Sequence, residues 1–198
     1  MLRKLFRRRD KGEDIAHELY LGAVAQARTP VFYAKHGVPD SLDGRFDLIV
    51  LHVYLQLRPL NAIAKRDAGT GGGDARQQSL RAGEIAQALF DTMFGDMDRS
   101  LREMGVSDIA VGKRVKQMAK AFYGRVSAYD EGLEGDDGQL GEALKRNLFG
   151  TIEPATEQVE AMADYFRCQA KHLDAAVDDA VLLGQVQFAP WSGKDVDR

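Results

Sequence analysis

A chain of 198 residues is long enough for one substantial domain, and an apolar share of 44% against 29% charged excludes wholesale disorder. The net charge of −3 conceals an asymmetry. Arg3, Lys4, Arg7, Arg8 and Arg9 crowd the first nine residues, and taking those five from 27 basic residues leaves 22 against 30 acidic ones. An acidic body of this kind argues against DNA and general nucleic-acid binding, which relies on basic surface to displace counterions. The single cysteine, Cys168, excludes an internal disulfide. No secretory apolar segment accompanies it, which fits a reducing compartment.

Leu2, Leu5 and Phe6 share one helical face among the five basic residues, the pattern of a small anchor for an anionic membrane surface. An unstructured basic tail reads equally well. Asp10, Glu13 and Asp14 follow at once, so a mitochondrial presequence fits less well than a bacterial start. A helix is predicted over 14–27, ending before Pro30. Thr29 to Gly44 is expected to be an ordered connector holding Val31, Phe32 and Tyr33. Phe46 to Leu57 is apolar at nine of twelve positions, broken only by Asp47, His52 and Gln56. Twelve residues rise roughly 18 Å, short of the ~30 Å hydrocarbon core, so a buried central helix is expected.

Residues 66–78 are glycine-rich, with no apolar side chain larger than alanine to bury, and read as a flexible loop. They lack the Gly-x-x-x-x-Gly-Lys-Ser/Thr spacing of a phosphate cradle. From Arg81 to Met104, Ile85, Leu89, Phe90, Met93, Phe94, Met97, Leu101 and Met104 recur at helical spacing, and Gly105 supplies a C-cap. A helix over 108–129 carries Val115, Met118, Ala119, Phe122, Val126 and Tyr129 inward and Lys113, Lys116 and Lys120 outward. Glu131 to Gly141 is read as an acidic turn, followed by a short helix to Phe149. A long last helix after Pro154 is predicted to run to Leu183 on a stripe that includes Val177 and Val181. No alternating run suggests a sheet. The expectation is an all-α, single-domain bundle of six or seven helices: a basic segment over 1–13, the helical domain over 14–184, and an extended tail over 185–198 containing Phe188-Ala-Pro-Trp191.

Chemical motifs fail their tests. A di-iron bundle needs two Glu-x-x-His pairs, and none of His17, His36, His52 and His172 follows a glutamate by three. His52 on the apolar helix reads as a satisfied core residue before a haem ligand, and Cys168 as a buried inert thiol. Asp40, Asp43 and Asp47 lack the glycine and glutamate of a calcium loop and read as turn and capping residues. Asp96, Asp98 and Glu103 read as a solvated rim. No catalytic residue, metal site or cofactor is assigned.

Two long stretches are more specific than any short motif. Ala27-Arg-Thr-Pro-Val-Phe-Tyr-Ala34 with Gly37-Val-Pro-Asp-Ser-Leu-Asp-Gly-Arg-Phe-Asp-Leu-Ile-Val-Leu-His52 is the first. The second runs from Ala88-Leu-Phe-Asp-Thr-Met-Phe-Gly-Asp-Met97 to Ala121-Phe-Tyr-Gly-Arg-Val-Ser-Ala-Tyr129. Here the chain resembles the ubiquinol–cytochrome c chaperone family, over roughly residues 14–190. The resemblance implies an all-helical protein that binds newly made cytochrome b and promotes assembly of the ubiquinol–cytochrome c oxidoreductase complex. It also implies, in mitochondrial members, a small partner subunit near the ribosome's exit; the chain does not reveal one here. The expected location is the cytoplasmic face of a bacterial inner membrane rather than the mitochondrial matrix.

Three readings follow. In the first, a chaperone holds apolar client helices on an exposed patch, sought at Phe32, Tyr33, Phe94 and the neighbouring Met97. In the second, a membrane-surface adaptor makes polar contacts through Lys113, Lys116 and Lys120 together with the anchor; that face equally suits an acidic partner or simple solvation. In the third, His52 or His172 serves an enzyme or haem carrier.

Overall fold

The computed structural model describes residues 11–66, 73–150 and 152–191, so the proposed N-terminal anchor of Leu2, Arg3, Lys4, Leu5, Phe6, Arg7, Arg8 and Arg9 lies outside the described residues. Eight helical segments and no strand occur among the described residues: α1 Lys11–Ala27, α2 Pro30–Ala34, α3 Leu42–Arg66, α4 Gly73–Glu103, α5 Asp108–Glu134, α6 Asp137–Asn147, α7 Thr156–Asp174 and α8 Asp178–Leu182. Six are helices of eleven residues or more, and α2 and α8 are five-residue turns. The all-α bundle expected from periodicity is the observed fold.

Helix α3 is the axis, packing against α1, α4, α7 and α8, while α5 and α6 close the ring between α4 and α7. Every residue from Val50 to Leu57 is buried, so this stretch is enclosed on all sides. The helix is 25 residues long rather than the twelve expected. Arg58, Pro59 and Asn61 look like a stop, but Pro59, Leu60 and Ile63 are all buried, and that packing carries the helix past the missing proline N–H. Its full length would reach across a bilayer; its charged residues do not suit one, and no described helix is long and apolar enough to cross a membrane.

Other boundaries shift for local reasons. Thr29 is extended and Pro30 opens α2, a position where its fixed φ suits a first helical residue, so part of the expected connector is a helical turn. Helix α4 reaches back to Gly73, so the predicted loop over 66–78 is too wide; Ser79 Oγ donates to the Ala64 carbonyl at 2.7 Å and ties the two helices together there. Gly105 sits at φ +80°, and the Val106 N–H donates to the Leu101 carbonyl at 3.1 Å, the left-handed cap that periodicity called for. The acidic turn is shorter than predicted: α5 continues to Glu134, and the Asp136 carboxylate caps α6 by accepting from Gln139 N–H at 2.9 Å. The expected long last helix is two. It stops at Asp174, Val177 is 71% exposed, and α8 turns Val181 and Leu182 into the core.

The core has two lobes. One gathers Phe32, Leu48, Leu51, Tyr54, Tyr129, Leu144, Phe149, Tyr165 and Phe166; the other gathers Leu19, Tyr20, Val53, Leu60, Ile85, Leu89, Met93, Phe122 and Val181. The tail is part of the first lobe as far as it is described. Val186, Phe188 and Trp191 pack on it, and buried Gln169 exchanges two hydrogen bonds with Ala189, at 2.8 and 2.9 Å.

Candidate functional site

A groove of about 650 Å³ opens beside the second lobe, between the C-terminal half of α3, α4, α5 and the α7–α8 turn. Ala62 on α3 and Gly83 and Ala86 on α4 are too small to fill it. On one wall an aromatic cluster comes to the surface: Phe90 packs edge-on to Phe122 at 5.4 Å, against Phe94 at 4.6 Å and against Tyr123 at 5.7 Å. Phe122 is buried, Phe90 is half-buried, and Tyr123 is 62% exposed on the rim. Neighbouring aromatics on a helix point roughly 100° apart, so when Phe122 takes the core position Tyr123 must leave it.

The opposite wall is charged. Arg58 bridges Asp174 at 2.8 Å and Asp130 at 3.3 Å, and its Nη1 donates to the Tyr54 hydroxyl at 3.0 Å while that hydroxyl donates to Asp130 at 2.6 Å. Burial and the bond to Asp130 push the Tyr54 hydroxyl well above its ordinary pKa, so it stays a donor. Burial alone would lower Arg58, but its bonds to Asp174 and Tyr54 outweigh that and raise it, keeping the guanidinium charged. Arg66 pairs with Asp178 at 2.8 Å. This network fixes the α3–α5–α7 edges of the groove. Its two guanidiniums are shared among three carboxylates, so the site combines an apolar wall with a rigid, ion-paired margin.

The residues singled out from sequence are not all brought here. Phe32 has no exposed surface and packs edge-on to Tyr165 at 5.0 Å, so it cannot belong to an exposed patch. Tyr33 is half-buried and donates its hydroxyl to the Ala27 carbonyl at 2.7 Å. Phe94 and Met97 are 8% and 9% exposed; Phe94 backs the groove's aromatic wall rather than lining its surface. At Phe32, Phe94 and Met97 the premise of an exposed patch is corrected: the turn of α2 and a wide stripe on α4 are absorbed by neighbours the sequence does not show. Lys113, Lys116 and Lys120 are exposed on α5, away from the groove lining. Missed were Tyr123, Phe90 as a lining residue, and the Arg58–Asp130–Asp174 network, whose members are 44 to 116 residues apart in sequence and show no local pattern. The adjacent Phe122-Tyr123 pair was the available signal.

Buried ionisable groups elsewhere are structural. His52 has no exposed surface; Nδ1 bonds the Leu48 carbonyl and Nε2 the Tyr165 hydroxyl, both at 2.7 Å, so both ring nitrogens are engaged. His172 is exposed. Asp47 does no capping or turn duty: its carboxylate pairs with Arg125 at 2.6 Å, with both side chains less than a fifth exposed. Asp40 instead pairs with Arg45 at 2.7 Å. Cys168 is exposed, not buried, because α7 turns it away from the stripe formed by Met162, Tyr165, Phe166 and Gln169. No group of three metal-ligating side chains occurs among the described residues.

The sequence over residues 34–188 matches the model of the family described as ubiquinol–cytochrome C chaperone. The chain belongs to the ubiquinol–cytochrome c chaperone family. Among solved structures, it is similar to the Cbp3 homolog from Brucella abortus, at 32% identity and a TM-score of 0.74, covering 96% of this chain and 97% of that one. The chain is 27% identical to ubiquinol–cytochrome-c reductase complex assembly factor 1 of Xenopus laevis over 91% of its own length and 83% of the relative's. Against the human protein of that name it is 26% identical over 91% of this chain and 56% of the other. Against the protein CBP3, mitochondrial, of Saccharomyces cerevisiae, it is 32% identical over 80% of this chain. The chain spans only about half of the human and yeast relatives, 56% and 44%. The chaperone family's match takes in the groove entirely.

Proposed function

We propose that this chain is an assembly chaperone for the ubiquinol–cytochrome c reductase complex, and that the groove beside Tyr123 receives an apolar helix of newly made cytochrome b. The supporting observation is the aromatic wall of Phe90 and Tyr123, backed by buried Phe122 and facing a margin of ion-paired charges. Apolar side chains of a client helix gain by leaving water against the rings, while Lys65 and the Arg58 network meet its polar turns. No nucleotide-binding motif accompanies the site, so release follows from the client's greater affinity for its own assembled partners. The working location is the cytoplasmic face of a bacterial inner membrane, with the basic residues 3–9 assisting attachment.

Photo-crosslinking amino acids placed at Tyr123 and Ala62 in cells test the reading. Cytochrome b is the expected capture, and Ala62→Trp, which fills the groove from an exposed position, should lower the assembled complex while leaving helicity intact. Capture of soluble metabolic proteins alone, with normal assembly in the Ala62→Trp strain, overturns it.

A further inference from the structure

From Ile109 to Tyr129, helix α5 contains no acidic residue and carries Lys113, Arg114, Lys116, Lys120 and Arg125, within a chain whose remainder is acidic. Ile109, Lys113, Lys116, Lys120 and Tyr123 fall at i, i+4, i+7, i+11 and i+14, one narrow stripe. All five are exposed, Ile109 by 91% and Tyr123 by 62%. Among the described residues none of the three lysines is in an ion pair, although Arg102, Arg99 and Arg45 elsewhere on the surface all are. Gly112 and Gly124 flank the stripe, with open space where a side chain would be. The acid returns only past the stripe, at Asp130 and Glu131, and before it at Asp108, which pairs with Arg102.

We propose that this face of α5 lies on an anionic lipid surface, with Lys113, Lys116 and Lys120 at the headgroups and Ile109 and Tyr123 dipping into the interface at either end. Charge complementarity selects an anionic partner. The two apolar ends select a bilayer over a nucleic acid, because an aliphatic side chain standing 91% in water gains nothing from phosphate but does gain from the acyl boundary. Tyrosine, with an apolar ring and a polar tip, suits the same depth. The stripe spans roughly 21 Å along the helix axis, enough for both ends to touch one flat surface at once. Tyr123 also stands on the groove's rim, so this orientation sets the groove's aromatic wall at the bilayer's edge. The inference does not depend on what the groove holds.

The test uses the full chain with vesicles of phosphatidylcholine, with and without phosphatidylglycerol, in a flotation assay. Replacing all three lysines (Lys113→Gln, Lys116→Gln, Lys120→Gln) should weaken partition onto the anionic vesicles about a hundredfold, at roughly fivefold per lysine, with the circular dichroism spectrum unchanged because all three are exposed. Ile109→Ser should weaken it further, and Tyr123→Trp should add a blue-shifted emission on binding to that of the chain's one native tryptophan. Partition of the triple variant equal to wild type overturns the proposal. So does a Tyr123→Trp emission that stays water-like on floating protein, or a triple variant that loses single-stranded RNA binding while keeping its vesicles.

Discussion

Two aromatic clusters of similar size sit in the two lobes, and they end differently. In the first lobe Phe32, Tyr165, Phe188 and Trp191 surround His52, with ring centroids 5.0–5.8 Å apart where they touch it or one another. The C-terminal tail closes this cluster and Gln169 satisfies the tail's backbone. In the second, Phe90, Phe94, Phe122 and Tyr123 pack at 4.6–6.1 Å, yet among the described residues nothing covers Phe90 and Tyr123 on the groove side. The same kind of ring packing therefore serves stability where the chain supplies its own cover and leaves an open apolar surface where it does not.

The contrast predicts unequal responses to substitution. Tyr165→Ala strikes the sealed cluster, removing a ring with no exposed surface and leaving His52 Nε2 and the Gln26 side chain without their partner. A loss of about 4 kcal/mol is expected in urea unfolding. A loss below about 1 kcal/mol would show that the sealed cluster is not what holds the first lobe together.

Acid should separate two groups of α3, His52 at the centre of that cluster and Asp47 five residues before it. Burial lowers His52 from 6.5 to about 4, partly countered by its bond to the Leu48 carbonyl. Between those values the unfolded chain takes up a proton that the folded one refuses, so the stability His52 contributes is complete above pH 6.5 and lost as pH falls toward 4. Asp47 runs the other way: burial raises it from 3.8 to about 6 against the pull of Arg125, so its contribution is complete below about 3.8 and lost as pH rises through 6. The two nearly cancel across pH 4–6. The difference in stability between His52→Phe and wild type should therefore slope one way over this window and that for Asp47→Asn the other, each by on the order of 2 kcal/mol, read from urea midpoints in a pH series. Parallel slopes would refute the assignment.

The open cluster should behave oppositely to the sealed one. Tyr123→Ser is expected to change stability by less than about 0.5 kcal/mol, since the side chain is mostly exposed, yet to lower assembled ubiquinol–cytochrome c reductase in membranes, scored by native gel. A strain with normal assembly would make the open cluster an ordinary surface. The smallest effect is expected at Gly95, on the exposed side of α4 beside the same cluster, where an added methyl meets nothing within 4 Å. Gly95→Ala should raise stability by about 0.5–1 kcal/mol with assembly unchanged; a loss would mean that this face is in contact with a partner.

What the sequence by itself determined was the helical class and the positions of most helices, because 3.6-residue periodicity and the cap at Gly105 are local. It also marked the Lys113–Lys116–Lys120 face, which follows from spacing alone. The family was legible in two long strings of residues. Tertiary packing alone decided that α3 continues through Pro59, that Val177 leaves its stripe, that Phe32 is sealed, that Cys168 faces solvent, and that Asp47 pairs with Arg125. It also decided that Tyr54 and Arg58 meet Asp130 and Asp174 across 72 to 120 positions to margin the groove beside Tyr123. The physical reason is that periodicity says which face of a helix is apolar, whereas exposure depends on whether another helix arrives to cover that face, and that is fixed only when the whole chain has packed.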